Sequence, residues 1–184
     1  MRSLFLFLIS VPCFAMAQAK DKVSPDILSL ESGVICAPPT EGEAAAPNTI
    51  AGTTHLISDV PPFVSTINRV PAVLGIGFGV KSVSVAPEGI TGIDMVITHP
   101  PMGTSRVTEQ SYATSIRGDS QSITFYQFDY DYELLPGDWT MEAHHKGKIL
   151  FTTSFLVLPP SKLPDLASIC GFEELLSHNV VGSN

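Results

Sequence analysis

Apolar residues recur at every second position through short runs of this chain, and that spacing suits strands and not helices. Ile93, Met95 and Ile97 fall on one side of such a run, with Asp94 and Thr98 on the other, the pattern of a strand with one buried and one wetted face. Trp139, Met141 and Ala143 oppose Thr140, Glu142 and His144 in the same way. After Lys146-Gly147-Lys148 a further run sets Ile149, Phe151, Phe155 and Val157 against Thr152 and Ser154, and the two runs together predict a hairpin. Other strands are expected at 28–36, 53–57, 76–85, 111–116 and 123–132, each bounded by Gly, Pro, Asp or Ser. Helical periodicity is missing until the end of the chain, so strands and helices cannot alternate as a Rossmann-like fold requires. The pattern predicts an all-β fold, a two-sheet antiparallel β-sandwich. Past Pro164, with Asp165 in the first turn, Leu166, Ile169, Cys170, Phe172 and Leu176 share a face interrupted at Gly171, which predicts a short C-terminal helix.

The first residues carry a different signal. Arg2 precedes an apolar run over residues 4–11, too short to span a bilayer of ~30 Å as a helix, and Ala15-Met16-Ala17 with Ala17-Gln18-Ala19 offers small residues at alternate positions. This reads as a cleaved signal peptide over residues 1–19. Pro12 before Cys13 does not suit a lipoprotein cysteine. The expected organisation is then an N-terminal strand and Pro/Ala-rich loop over 20–52, a β-sandwich domain over 53–160, and a helix and tail over 161–184. Removal of Arg2 leaves nine basic residues against 18 acidic ones, a formal charge of -9, which disfavours nucleic acid and anionic membrane as partners. No membrane insertion is expected of the mature chain, and its expected location is periplasmic or secreted.

Two of the three cysteines, Cys36 and Cys170, survive cleavage. In an oxidising compartment an even pair reads as a disulfide, and a bridge closing so long a loop contributes ~5 kcal/mol in the chain-entropy treatment. Two buried free thiols are the competing reading.

Three segments together resemble a bacterial family known as domain of unknown function 3859. They are Val70-Pro71 with Gly75-Ile76-Gly77-Phe78-Gly79, then Thr98-His99-Pro100-Pro101, then Leu135-Pro136-Gly137-Asp138-Trp139 running through Gly147-Lys148-Ile149-Leu150 to Phe155-Leu156-Val157. The resemblance implies an immunoglobulin-like sandwich and no activity. Physically, the Pro-Gly turn launches a strand whose first inward residue is a large aromatic.

Candidate chemistry is sparse. Gly75, Gly77 and Gly79 imitate a phosphate loop, but the following residues continue as a strand and not as a helix N-terminus, so close backbone approach or a bulge explains them. His99, Met102 and His145 are soft donors that a metal-handling copper or zinc sandwich uses, if they converge. Tyr126, Phe128 and Tyr130 offer an aromatic ligand-binding strip. Asp129, Asp131 and Glu133 share a parity that would suit a weak calcium site if the strand is regular, although a solvated strand face is the plainer account. Arg117-Gly118-Asp119 is accounted for by a turn. Signatures of serine, zinc and cysteine hydrolases are absent, so no catalytic residue and no cofactor is assigned. These residues point to a non-catalytic binding or accessory module of the bacterial cell envelope, its partner an envelope protein or small ligand. A metal-handling sandwich is the alternative.

Overall fold

A computed structural model describes residues 22–170. The signal peptide expected at 1–19, and Phe172 and Leu176 of the expected helix face, lie outside the described residues. Eleven strands are defined among those described: β1 (Lys22–Val23), β2 (Ile27–Cys36), β3 (Gly42–Ala45), β4 (Thr53–Leu56), β5 (Arg69–Pro71), β6 (Ile76–Ser84), β7 (Ile90–Met102), β8 (Val107–Ile116), β9 (Ser122–Gln127), β10 (Gly137–His145) and β11 (Lys148–Leu158). One sheet runs β1-β11-β10-β7-β8, with β5 parallel to the far end of β11; a second runs β2-β6-β9; β3 and β4 form a separate hairpin.

The alternating residues meet between the two sheets. Trp139, Met141, Phe151 and Phe155 project from the first sheet, and Val34, Ile76, Phe78 and Val80 from the second, all at most 2% exposed. Phe78 is the hub: its ring centroid lies 4.7 Å from Phe155, 5.6 Å from Trp139 and 5.8 Å from Phe128. Such tilted and edge-on contacts add to the transfer free energy of burying each ring. The indole N–H of Trp139 donates to the Leu135 carbonyl at 3.0 Å, so the largest core side chain leaves no polar atom unpaired. Along β6 the glycines do what the strand reading requires. A Cβ on Gly79 would collide with the Thr124 carbonyl oxygen of β9, and one on Gly77 would lie 2.9 Å from that of Tyr126.

The hairpin β10-β11 forms as expected, with positive φ at both Lys146 (49°) and Gly147 (76°), the geometry that matches the twist of the flanking strands. Its register shifts at Ala143/His144, however. Ala143 faces Phe151 while His144 faces Ile149, so Leu150 is the extra residue of a bulge. Leu150 is therefore buried and Ile149 is 43% exposed, the reverse of simple alternation.

Two further expectations are corrected. The Pro/Ala-rich stretch is not all loop, because Gly42–Ala45 pairs with β4. The C-terminal helix α1 is short, Pro164–Ser168; Leu166 and Cys170 pack on the core but Ile169 is 51% exposed. Cys170 is tied to Cys36 at the end of β2 by the expected disulfide, with Cα atoms 5.4 Å apart.

Both sheets have exposed edges to manage, and they do so differently on the two sides. On one side a single segment closes them: Val34 of β2 exchanges backbone hydrogen bonds with Val64 and Ser65, and then β5 lies along β11. On the other side no strand among the described residues pairs the outer edges of the last strands, β8 and β9, and the β3-β4 hairpin lies over the gap.

Candidate functional site

The gap between β8 and β9 is a cleft of about 480 Å³. Its walls are the two strands, and its cover is β3-β4 with the loop between them. The cover is held by few polar links. The Ile50 N–H donates to Gln110 Oε1 at 2.7 Å, the Ser111 N–H donates to the Asn48 carbonyl at 3.3 Å, and His55 Nε2 meets Asp129 Oδ2 at 2.7 Å. Across the gap, the Tyr112 hydroxyl donates to the Phe125 carbonyl at 3.2 Å, tying one edge to the other.

Beneath the cover lies a buried polar chain. His99 Nδ1 lies 2.8 Å from the Pro100 carbonyl, which can only accept, so Nδ1 carries the proton and Nε2 is an acceptor. Gln110 Nε2 donates to that Nε2 at 3.0 Å, which turns the amide oxygen of Gln110 toward Ile50. The imidazole rests on Trp139, ring centroids 4.9 Å apart, and burial pushes its pKa down from 6.5 against the raising effect of the Pro100 carbonyl. At neutral pH His99 is therefore an uncharged link between the core and the cover.

Glu133 is the second anchor. It is 5% exposed, and its Oε1 accepts the Tyr126 hydroxyl at 2.7 Å while Oε2 accepts the N–H groups of Asp129 (2.6 Å) and Tyr130 (2.9 Å). Burial raises its pKa and these donors lower it, with burial the larger effect. Tyr126 is pushed upward by burial and then by the adjacent Glu133 carboxylate, so its hydroxyl stays a donor.

The residues singled out from sequence are only partly brought together. His99 and Met102 do converge, both within reach of Gln110 Nε2, but they are 3% and 1% exposed and packed in the core. His145 does not join them. Its Nδ1 lies 3.2 Å from the Gly92 carbonyl, seven residues along β7 from His99 or ~23 Å at strand rise. Among the described residues no three His, Cys, Asp or Glu side chains gather as a metal site. The aromatic strip dissolves too, because β9 ends at Gln127. Phe128 turns inward, fully buried beside Phe78, and Tyr126 is partly buried against the core; Tyr126 and Tyr130 both border the cleft, and Tyr130 is the exposed one at 50%. The shared parity of Asp129, Asp131 and Glu133 breaks for the same reason: Asp131–Glu133 is a 3-10 turn that carries Glu133 back under the strand end.

The strands at 53–57 and 111–116 were expected, but nothing in the sequence marked the roles of Gln110 and Tyr112, the strand β3 or the placement of the β3-β4 hairpin over the cleft. Their partners lie 11 to 74 residues away, and neither glutamine nor alanine announces a site by type.

A family model described as domain of unknown function DUF3859 matches residues 24–157. The chain belongs to this family. The matched span holds every strand that walls or covers the cleft, so the site is part of the DUF3859 domain itself. No curated protein matches it. Among solved structures, an immunoglobulin-like protein from Pseudomonas aeruginosa is similar at 18% identity and a TM-score of 0.51, over 77% of this chain and 99% of that one. That likeness bears on fold alone and agrees with the two-sheet sandwich of the DUF3859 domain. The alkylpurine DNA glycosylase AlkC from Pseudomonas fluorescens, bound to DNA with an abasic site analog, matches at 20% identity over 48% of this chain and 28% of its own, with a TM-score of 0.30 too low to carry an argument.

Proposed function

We propose that this DUF3859 domain is a non-catalytic binding module of the cell envelope that takes its ligand in the cleft between β8 and β9. The observation that carries the reading is that cleft: a lightly covered cavity of about 480 Å³, within the range of small-ligand sites, at a side of the sandwich where two strand edges lie unpaired by any strand among the described residues. Placement of the site on two rigid sheet edges under a cover held by few links suits a ligand that enters as the cover lifts. Export is supported by the leader over residues 1–19 and by the Cys36–Cys170 bridge, which persists in oxidising compartments and not in the cytosol. A binding role is favoured over catalysis because the buried carboxylate of the cleft, Glu133, has both oxygens committed to Tyr126 and to backbone N–H groups.

The test is a nuclear magnetic resonance screen of the oxidised mature chain against a fragment library of sugars, short peptides and aromatic acids. Hits should perturb amides in 107–116 and 122–130 and spare the β1-β11 side. Hits scattered over the surface, or confined elsewhere, would sink the reading. For location, a fusion of residues 1–30 to a reporter active only outside the cytosol should be active, and an inactive fusion would overturn export.

A further inference from the structure

Building on the binding reading above, the chemistry of the cleft narrows its ligand. Tyr130 borders the cleft, is half exposed, and is stacked on Tyr132 with ring centroids 5.2 Å apart and planes 7° apart. Tyr132 backs one face of Tyr130, and half of the Tyr130 side chain stays exposed. An exposed ring braced by a second ring is a rigid apolar plate in otherwise polar surroundings. Thr54, Gln127 and Asp129 also border the cleft; Gln127 Nε2 donates to Asp129 Oδ1 at 2.6 Å and Asp129 Oδ2 meets His55 Nε2, which leaves the second amide proton of Gln127 and a further lone pair on each carboxylate oxygen for a ligand hydroxyl. Four carboxylates border the cleft, Glu43, Asp59, Asp129 and Glu133, against the single guanidinium of Arg117, which already donates to the Gln121 carbonyl at 3.1 Å. That balance repels anions.

A peptide strand fits this cleft poorly. Adding a strand to an edge needs a continuous row of free backbone groups. On β8 the Ser111 N–H is taken by Asn48, and on β9 the Phe125 carbonyl is taken by Tyr112.

We propose that the cleft binds an uncharged or amino-bearing oligosaccharide, one pyranose ring lying flat on Tyr130 and its hydroxyls meeting Gln127, Asp129 and Thr54. The polarised C–H groups on one side of a sugar ring suit the negative face of the phenol, and the polar rim suits its edge.

The experiment titrates chitotriose, cellotriose, maltotriose and deacetylated chitotriose into the oxidised mature chain, with a heparin-derived hexasaccharide and a neutral nonapeptide alongside, read by amide shifts. At least one of the four trisaccharides should shift residues 127–132 and saturate. Its Kd should rise tenfold or more in Tyr130→Ala and recover in Tyr130→Trp, while both variants melt as the parent does. If the peptide or the heparin fragment shifts the cleft and no trisaccharide does, the carbohydrate inference falls and the binding reading stands. If neither these probes nor the fragment library touches the cleft, both fall. Trisaccharide binding that survives Tyr130→Ala overturns the assignment as well.

Discussion

His99 and Gln110 meet nitrogen to nitrogen at 3.0 Å, and because His99 Nδ1 is spent on the Pro100 carbonyl, the contact holds only while Nε2 is bare. Protonation would set two donors face to face. The folded-state pKa of His99 lies below the unfolded value near 6.5, so as pH falls through that value the unfolded chain takes up a proton that the folded chain refuses. The contribution of His99 to stability is therefore full above the unfolded pKa and is lost as pH falls toward the folded one, with a slope of at most ~1.4 kcal/mol per pH unit. Urea midpoints for the parent and His99→Gln between pH 8 and pH 5 check this. The difference between the two should change across the window, and a parallel pair of curves would show that His99 does not titrate as described.

Glu133→Gln keeps shape but offers a single oxygen where the carboxylate supplies two acceptors. Either the N–H pair of Asp129 and Tyr130 faces an amide donor, or that amide donates to the Tyr126 hydroxyl, whose own proton then loses its acceptor. A loss of ~1–3 kcal/mol is expected. Amide exchange over 128–134 should accelerate more than exchange in β10 and β11; unchanged exchange in that turn would contradict the anchor role.

Phe78→Ala removes the ring on which Phe155, Trp139, Phe128 and Tyr126 converge. The cost should be ~3–5 kcal/mol, measured as a fall in denaturant midpoint at unchanged slope. A loss below 1 kcal/mol would mean that the two sheets close over the cavity.

The disulfide joins residues 134 apart in sequence, so its reduction releases a loop of that length in the unfolded ensemble. Stability should drop by up to ~5 kcal/mol on reduction, and Cys36→Ser with Cys170→Ser should match the reduced parent. A double variant as stable as the oxidised parent would show that the bridge does not constrain the unfolded chain as the entropy argument requires.

The sandwich was legible because each strand writes its own faces. Ile93, Met95 and Ile97, or Trp139, Met141 and Ala143, are buried by a period that depends on backbone pleat alone, and the Cys36–Cys170 pairing followed from count and compartment. The site was not legible in the same way. Periodicity fails wherever a bulge, a strand end or a turn resets the parity: Leu150 replaces Ile149 inside, and Glu133 leaves the face of Asp129. The metal trio failed because two of its members share the core end of β7 while His145 sits by Gly92 toward the other.

Local pattern, set by residues two positions apart, thus determined that the chain is an all-β sandwich and which strand faces fill it. Tertiary structure alone decided that β8 and β9 are left as open edges, that β3-β4 lies across them, and that Gln110 and Glu133 hold the cleft together. The physical reason is range. Burial is dictated by the residue itself, whereas a site is made of hydrogen bonds such as His55 to Asp129, whose partners meet only after the whole chain has closed.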